Sequence, residues 1–349
     1  MKNNSVESFF IRNWYGNSRW VFLLLPLNWI FVLLSGWRRW WLTKFKQRIP
    51  ATPVIIVGNI SVGGTGKTPL LVALVKKLQQ EDFAPGVVSR GYGGSAASYP
   101  HLVTKSSSAQ EAGDEPLSIY NQTRCPIAIG PNRFESINLL REHQVTTVLS
   151  DDGLQDYKLG RHLEIAVIDG QRWFGNAWRL PLGPLRESVS RLSSVDMVVV
   201  NNPSANAPIE NFHSMTIVPR HWVNIKTNQI IPLNQIEKSI FHAVAGIGNP
   251  QRFYDSLNQL NIDFIGHDFP DHHNYCEKDF EFAENHPILM TEKDAVKCQG
   301  FARDNWYYLA VEAELDEKFW QEFMDKVSAI SIQKVNLPTK INLEGNNVK

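Results

Sequence analysis

Two groups of residues in this chain have the types and spacing for phosphoryl chemistry. The first is Ser61-Val62-Gly63-Gly64-Thr65-Gly66-Lys67-Thr68. Glycines let backbone N–H groups turn inward around phosphate oxygens. A lysine closing such a loop reaches the β- and γ-phosphates, and the threonine hydroxyl after it ligates Mg²⁺. The second group is Asp151-Asp152-Gly153, acids at the end of an apolar run, where a Walker-B-type carboxylate that serves the metal belongs. The usual G-x-x-x-x-G-K-T spacing asks for glycine at position 61, where this chain has Ser61; Gly63 and Gly64 supply the flexibility instead. Transfer of phosphate to a hydroxyl also needs a base and cations beyond Lys67. Asp114-Glu115 and Asp271-His272-His273 are the candidates for the base, and Arg90, Arg133, Arg186 and Lys293 for the cations.

These residues need a frame. The run Val54–Val57 enters the glycine loop, and Leu70, Leu71, Leu74, Val75 and Leu78 recur after it at helical spacing. That is the strand–loop–helix context a phosphate loop requires. Further apolar runs at Pro85–Ser89, Pro126–Gly130, Val145–Leu149, Ile165–Asp169 and Val195–Asn201 alternate with helical stretches opening at Gly113 and spanning Asn132–His143. Residues 95–110 are rich in Ser and Ala and read as an exposed loop. The alternation argues for an α/β fold with a P-loop NTPase-type, doubly wound, mainly parallel sheet. Short runs at Met215–Val218, Trp222–Lys226 and Gln229–Leu233, with Thr227-Asn228 as a turn, read as an antiparallel hairpin. From Phe241–Ala245 the α/β pattern restarts, with a helix at Gln251–Leu260 and strands at Asp263–His267 and Ile288–Thr291, forming a second, smaller α/β domain.

The formal net charge is zero but unevenly spread. Residues 1–48 carry eight Lys or Arg against the single acid Glu7, together with six of the eleven tryptophans. A basic, Trp-rich arm on a neutral body points to a membrane surface and away from nucleic acid. The apolar run Trp20–Leu34 is shorter than the ~20 residues that cross a bilayer core. A cleaved signal peptide, a short tilted span and an interfacial helix are the three readings. Arg38-Arg39-Trp40-Trp41 in place of a small-residue cleavage site disfavours the first. Three dispersed cysteines, Cys125, Cys276 and Cys298, indicate neither a disulfide framework nor a zinc site. No protein partner can be inferred from the sequence.

Seven motifs in order make a resemblance specific: Gly58–Pro69, Ser89-Arg90-Gly91-Tyr92-Gly93, Gly113-Asp114-Glu115-Pro116, Asp151-Asp152-Gly153-Leu154-Gln155, Pro184-Leu185-Arg186-Glu187, Asp271-His272-His273 and Thr291-Glu292-Lys293-Asp294. Over roughly residues 10–325 the chain resembles the tetraacyldisaccharide 4'-kinases of lipid A biosynthesis. The resemblance implies an ATP-dependent kinase with ATP and Mg²⁺ as its small-molecule requirements. Its acceptor would be the 4'-hydroxyl of a tetraacylated glucosamine disaccharide 1-phosphate, at the cytoplasmic face of a bacterial inner membrane. It also implies roles. Asp114 would be the base with His272 paired to it, and Thr68 and Asp151 would hold Mg²⁺. Asp152, Gln155 and Glu187 would complete the metal and phosphate surroundings, with Glu187 on the metal side and Asp152 among the catalytic residues alongside Lys67. Arg133 and Arg186 would face phosphates, and Arg90 joins them as a candidate substrate contact. The expected organisation is a membrane-associating helical arm (1–48), a P-loop kinase domain (49–212), a two-stranded linker (213–238), a smaller α/β domain (239–330) and a polar tail (331–349). Two rival readings remain. A membrane-associated nucleotide switch or insertion ATPase has a signature lysine where this chain has Val62, and a non-catalytic nucleotide scaffold would tolerate loss of Asp114.

Overall fold

The computed structural model describes residues 6–16, 18–237, 239–283 and 286–335. Among the described residues thirteen strands form one continuous sheet. Its first part contains β1 (Val54–Gly58), β2 (Pro85–Ser89), β3 (His101–Val103), β4 (Ile127–Ile129), β5 (Thr147–Asp151), β6 (Leu163–Asp169) and β7 (Met197–Asn201). They lie in the order β3-β4-β2-β5-β1-β6-β7, all parallel except the edge strand β3. The second part contains β8 (His213–Asn224), β9 (Ile230–Pro232), β10 (Phe241–Ala245), β11 (Phe264–Asp268), β12 (Ile288–Thr291) and β13 (Trp306–Leu315). Here β11, β10, β12 and β13 are parallel to one another, and β13 then runs antiparallel to β8 from Asn224 back to Met215. The first three residues of β8 pair parallel with β7. The β8–β13 pair thus reverses strand direction, and the carboxyl ends of the two parallel sets face one another.

Among the described residues nine α-helices cover the faces of the sheet or lie at its periphery: α1 (Val6–Trp14), α2 (Leu25–Phe45), α3 (Lys67–Gln80), α4 (Ala109–Ala112), α5 (Asp114–Thr123), α6 (Arg133–Glu142), α7 (Pro250–Gln259), α8 (Glu292–Cys298) and α9 (Glu317–Val335). The apolar stripe expected from sequence packs α3 onto Ile55 and Val57 of β1, and Phe319 and Phe323 of α9 seal the same layer. Val54 and Ile56, with side chains on the other face of β1, meet Ile137 and Leu140 of α6. Because β1 is covered on both sides, it is apolar throughout, as a central parallel strand must be.

Three elements depart from expectation. Within 95–110 lie β3 and the start of α4, because Val103 is buried and Ser108 and Glu111 form a reciprocal capping box. The 221–232 hairpin exists, with Trp222 opposite Ile231, but the longer partner of β8 is β13, which the sequence reading did not mark. The helix α9 extends to Val335, and the remainder of the expected tail lies outside the described residues. The N-terminal stretch Arg19–Phe45 continues well past the apolar run ending at Leu34. It is 27 residues long, and an 18-residue window within it reaches a mean hydropathy of 1.8, so by length and composition it could cross a membrane. Leu23, Trp29, Leu33 and Trp37 on it lie largely uncovered.

Phe319 is fully buried between α9 and α3. Phe319→Ala is expected to cost about 3–5 kcal/mol of unfolding free energy in a denaturant titration. A loss below ~1 kcal/mol would mean that α9 does not seal this core.

Candidate active site

The turn from β1 into α3 is built around two glycines. Gly63 has φ +102°, and Gly66, the residue before α3, has φ +98°. A Cβ on Gly66 would stand 2.6 Å from the Asn201 side-chain nitrogen, so this position admits only glycine. Ser61 needs no such freedom. It is buried and forms an antiparallel bridge with Leu185, which explains how the loop does without the usual first glycine. The Asn201 amide donates to the Thr65 carbonyl at 3.1 Å, and the Arg172 guanidinium donates to the Gly64 carbonyl at 2.7 Å. With those carbonyls turned away and held, the loop N–H groups and the start of α3 are left for an anion.

At the carboxyl end of the neighbouring β5, Asp151 is buried and Asp152 stands at the rim. Lys67 Nζ lies 3.7 Å from Asp152 Oδ1, and Arg186 donates to Asp152 Oδ2 at 2.9 Å. Burial alone would raise the Asp152 pKa, but Lys67 and Arg186 outweigh it and hold this carboxyl at about 2. Asp151 goes the other way. Burial, then repulsion from Glu115 and Asp152, pushes it up to about 7. Its Oδ1 is buried without a hydrogen-bond partner. A carboxylate so placed lacks a cation, and Mg²⁺ fits that lack by charge and by oxygen chemistry. Among the described residues no group of three or more His, Cys, Asp or Glu is placed to hold a metal ion by itself. A P-loop metal needs none, because a hydroxyl such as that of Thr68, one acid and the phosphate oxygens suffice.

Two expected contacts are placed differently. Arg133 is buried, and it donates to Asp156 at 2.9 Å and to the carbonyls of Asp151 and Asp152 at 2.6 and 3.1 Å. Its terminal nitrogens are committed to bracing the acidic turn. Glu187 accepts from Gln155 at 2.8 Å and from the Tyr157 hydroxyl, with Arg191 at 3.4 Å and Arg39 at 3.5 Å. Both of its oxygens are therefore held by protein donors. Gln155 also donates to the Asn59 carbonyl at 2.9 Å, tying this network to the strand end that enters the loop. Arg90 is exposed just beyond β2.

Across from the loop, Gly113 (φ +84°) starts α5, so that Asp114 opens the helix from a buried position. The Nδ1 of His272 lies 3.1 Å from Asp114 Oδ2. His273 points elsewhere, to Asp279 at 3.1 Å, which decides between the two histidines. Burial would raise the Asp114 pKa, but the His272 hydrogen bond and the ammonium groups of Lys293 and Lys297 hold it below the ordinary carboxylate value. The same hydrogen bond raises His272 above its usual value. Lys293, at the head of α8, reaches Glu115 and Asp271 at 3.0 Å each and lies 3.9 Å from Asp114. A cavity of about 320 Å³ opens on Asp114, His272 and Lys297. A second, of about 440 Å³, runs from Gly64, Gly66 and Thr68 past Glu115 to Asn249, Arg252 and Lys293. Asp114 thus lines the first cavity and the adjacent Glu115 the second.

The sequence reading missed Asn201, Asp169, Arg172, Arg252, Lys297 and Glu292. Asp169 binds Arg172 at 2.6 Å and Arg252, from α7, at 2.7 Å. Glu292 lines the larger cavity with its pKa pushed up to about 7 by burial. One signal was available: Asp169 and Asn201 each end an otherwise apolar strand with a polar residue.

A glycine turn of this shape, feeding a helix that begins Lys67-Thr68 and facing an acid at the tip of the adjacent strand, defines a P-loop nucleoside triphosphate enzyme. Residues 20–329 match the family model described as tetraacyldisaccharide-1-P 4'-kinase. The tetraacyldisaccharide 4'-kinase of Legionella pneumophila (strain Corby) is 46% identical over 318 residues, covering 90% of this chain and 97% of the relative. That of Haemophilus influenzae (strain 86-028NP) is 44% identical over 337 residues, covering 93% and 99%. A crystal structure of LpxK from Aquifex aeolicus in complex with ATP superposes with a TM-score of 0.74 at 25% identity, covering 89% of this chain and 99% of that one. The chain belongs to the tetraacyldisaccharide 4'-kinase family.

The Asp114–His272 contact makes a titration test. The imidazole of His272 should titrate above the ordinary histidine value of about 6.5 in the wild type and move downward in Asp114→Asn, read by NMR. In sign, the contact favours the native state below pH ~6.5 and the gain fades as pH rises through the raised His272 value. An unchanged His272 titration in the variant would mean that the pair does not form.

Proposed function

We propose that this protein transfers the γ-phosphate of ATP to the 4'-hydroxyl of a tetraacyldisaccharide 1-phosphate, giving the 1,4'-bisphosphorylated precursor of lipid A. The observation that carries this reading is the buried carboxylate of Asp114, paired to His272 and lining one cavity while the adjacent Glu115 lines the cavity that holds Gly64, Gly66 and Thr68 of the loop. The glycine loop and Lys67 bind the triphosphate, and Lys67 and Arg186 offset charge on the transferred group. Thr68 and Asp151 would hold Mg²⁺, which neutralises phosphate charge when bound. Asp114 accepts the proton of the acceptor hydroxyl. His272 orients that carboxylate and compensates its charge, while Lys293 and Lys297 keep it ionised. Glu187 and Gln155 act as positioning residues for the loop, and Arg133 for the acidic turn. Arg90 is an acceptor-side contact.

The arm, 1–48, associates with the cytoplasmic face of the inner membrane through its uncovered aromatic and aliphatic side chains, bringing the site to a lipid acceptor. The P-loop kinase domain then spans 49–212, the β linker 213–238 and the smaller α/β domain 239–330, and closure between them excludes water from the transferred group. Asp169–Arg252 already bridges the two sides of the cleft.

The test is transfer of label from γ-labelled ATP to tetraacyldisaccharide 1-phosphate in detergent micelles. Lys67→Ala is expected to lower turnover by roughly two orders of magnitude or more. Asp114→Asn should lower kcat far more than ATP affinity; loss of ATP binding alone would remove Asp114 from the proton transfer. ATP hydrolysis without labelled lipid would bring forward the switch or transport ATPase reading.

A further inference from the structure

The N-terminal arm and the nucleotide loop do not touch the same elements by accident of packing. They grip opposite edges of one segment, residues 176–187. On the arm side, three successive carbonyls of that segment are capped by arm side chains or their neighbours. Asn28 Nδ2 of α2 donates to the Arg179 carbonyl at 2.6 Å and to the Leu180 carbonyl at 3.2 Å, and Trp14 Nε1 of α1 donates to the Pro181 carbonyl at 3.0 Å. The Asn176 N–H donates back to the Trp14 carbonyl at 3.0 Å. On the loop side, the Val62 N–H donates to the Pro184 carbonyl at 2.9 Å and the Arg186 N–H to the Ile60 carbonyl at 2.7 Å, with Ser61 bridging Leu185 between them. The segment is held to itself by the Leu180 N–H donating to Leu185 and the Leu185 N–H donating to Trp178, at 2.9 and 3.0 Å. Its last residues, Arg186 and Glu187, reach Asp152 and Gln155. Arg39 of α2 closes the circuit, 3.5 Å from Glu187 and over the ring of Tyr157.

Asn28 sharpens the point. It is buried in a helix whose neighbouring Leu27, Trp29 and Ile30 are exposed. A polar residue in an apolar stretch is a poor choice for a simple anchor, because an amide lowers membrane affinity. Its two hydrogen bonds to the 176–187 segment account for its presence.

We infer that Trp14, Asn28 and Arg39 are positioning residues for the nucleotide loop, acting through the 176–187 segment, so that the seating of the arm sets how well the loop holds ATP. The inference rests on the nucleotide reading of Ser61–Thr68 and is independent of which acceptor is used.

The experiment is carried out on the full-length protein and measures affinity for a fluorescent ATP analogue, sedimentation with vesicles containing phosphatidylglycerol, and melting temperature. Asn28→Leu removes the donor while making the arm more apolar. It should weaken ATP binding about tenfold, the scale of one buried hydrogen-bond pair left unmade, while vesicle sedimentation stays undiminished. Arg39→Gln should also weaken ATP binding, and Arg39→Lys should recover part of the loss. Unchanged ATP affinity in both Asn28→Leu and Arg39→Gln overturns the inference. So does a loss confined to vesicle sedimentation, which would make the arm an anchor alone. Should Asn28→Leu fail to fold, the comparison of Arg39→Gln with Arg39→Lys decides. Transfer to lipid is not among the readouts, so failure of the acceptor assignment would leave this result standing.

Discussion

The site depends first on one reversal of direction, the antiparallel pairing of β8 with β13. Parallel strands joined by helices place all their carboxyl ends, and hence their functional loops, on one edge. A single doubly wound sheet would offer one such edge, with its far side open to water. By running twelve residues of β8 out from β7 and bringing β13 back along it, the chain turns the second parallel set around. The loops after β10 and β12 then confront the loops after β1 and β5. Trp222 and Leu309, opposite one another in the ladder, are buried there, so the reversal is fixed by packing as well as by hydrogen bonds.

Within that cleft, charge is arranged by pairing. Acids outnumber what a dry site tolerates, and each is answered differently. Asp114 is answered by His272 and two lysines, Asp152 by Lys67 and Arg186, Glu187 by Arg191 and Arg39, and Asp169 by Arg172 and Arg252. Asp151 combines a buried oxygen that has no hydrogen-bond partner with a raised pKa. Removing one member of a buried pair leaves the other uncompensated, so these ions hold one another in place more than they stabilise the fold.

What the sequence revealed and what it concealed follow from range. The glycine loop, Lys67-Thr68, the Asp151-Asp152 pair and the strands before them are local patterns, and they lie where expected. Asp114 and His272, 158 positions apart, were linked by family resemblance before the fold brought them within 3.1 Å. Concealed were the features that exist only through distant pairing. The run Trp306–Leu315 carries β-forming residues, but nothing local says that it pairs with β8. Arg133 reads as a phosphate contact from its turn after a strand and from the family resemblance, and Glu187 as a metal-side residue from the resemblance alone. In the fold their donors and acceptors are engaged with Asp156, Tyr157 and Gln155. The hold of Asn28 on Arg179 spans 151 positions and has no sequence signature at all.

The two sides of the cleft meet through Arg252–Asp169 and Lys293–Glu115, with Lys293 and Arg252 about a fifth exposed. Such contacts respond to dissolved ions in a way that apolar closure does not, since mobile counterions screen pairs that water can reach. Of the two contacts, Lys293–Glu115 has the more exposed acid and is the more open to screening, whereas Asp169 is buried beneath Arg252 and keeps its hold at any salt that water can carry to the rim.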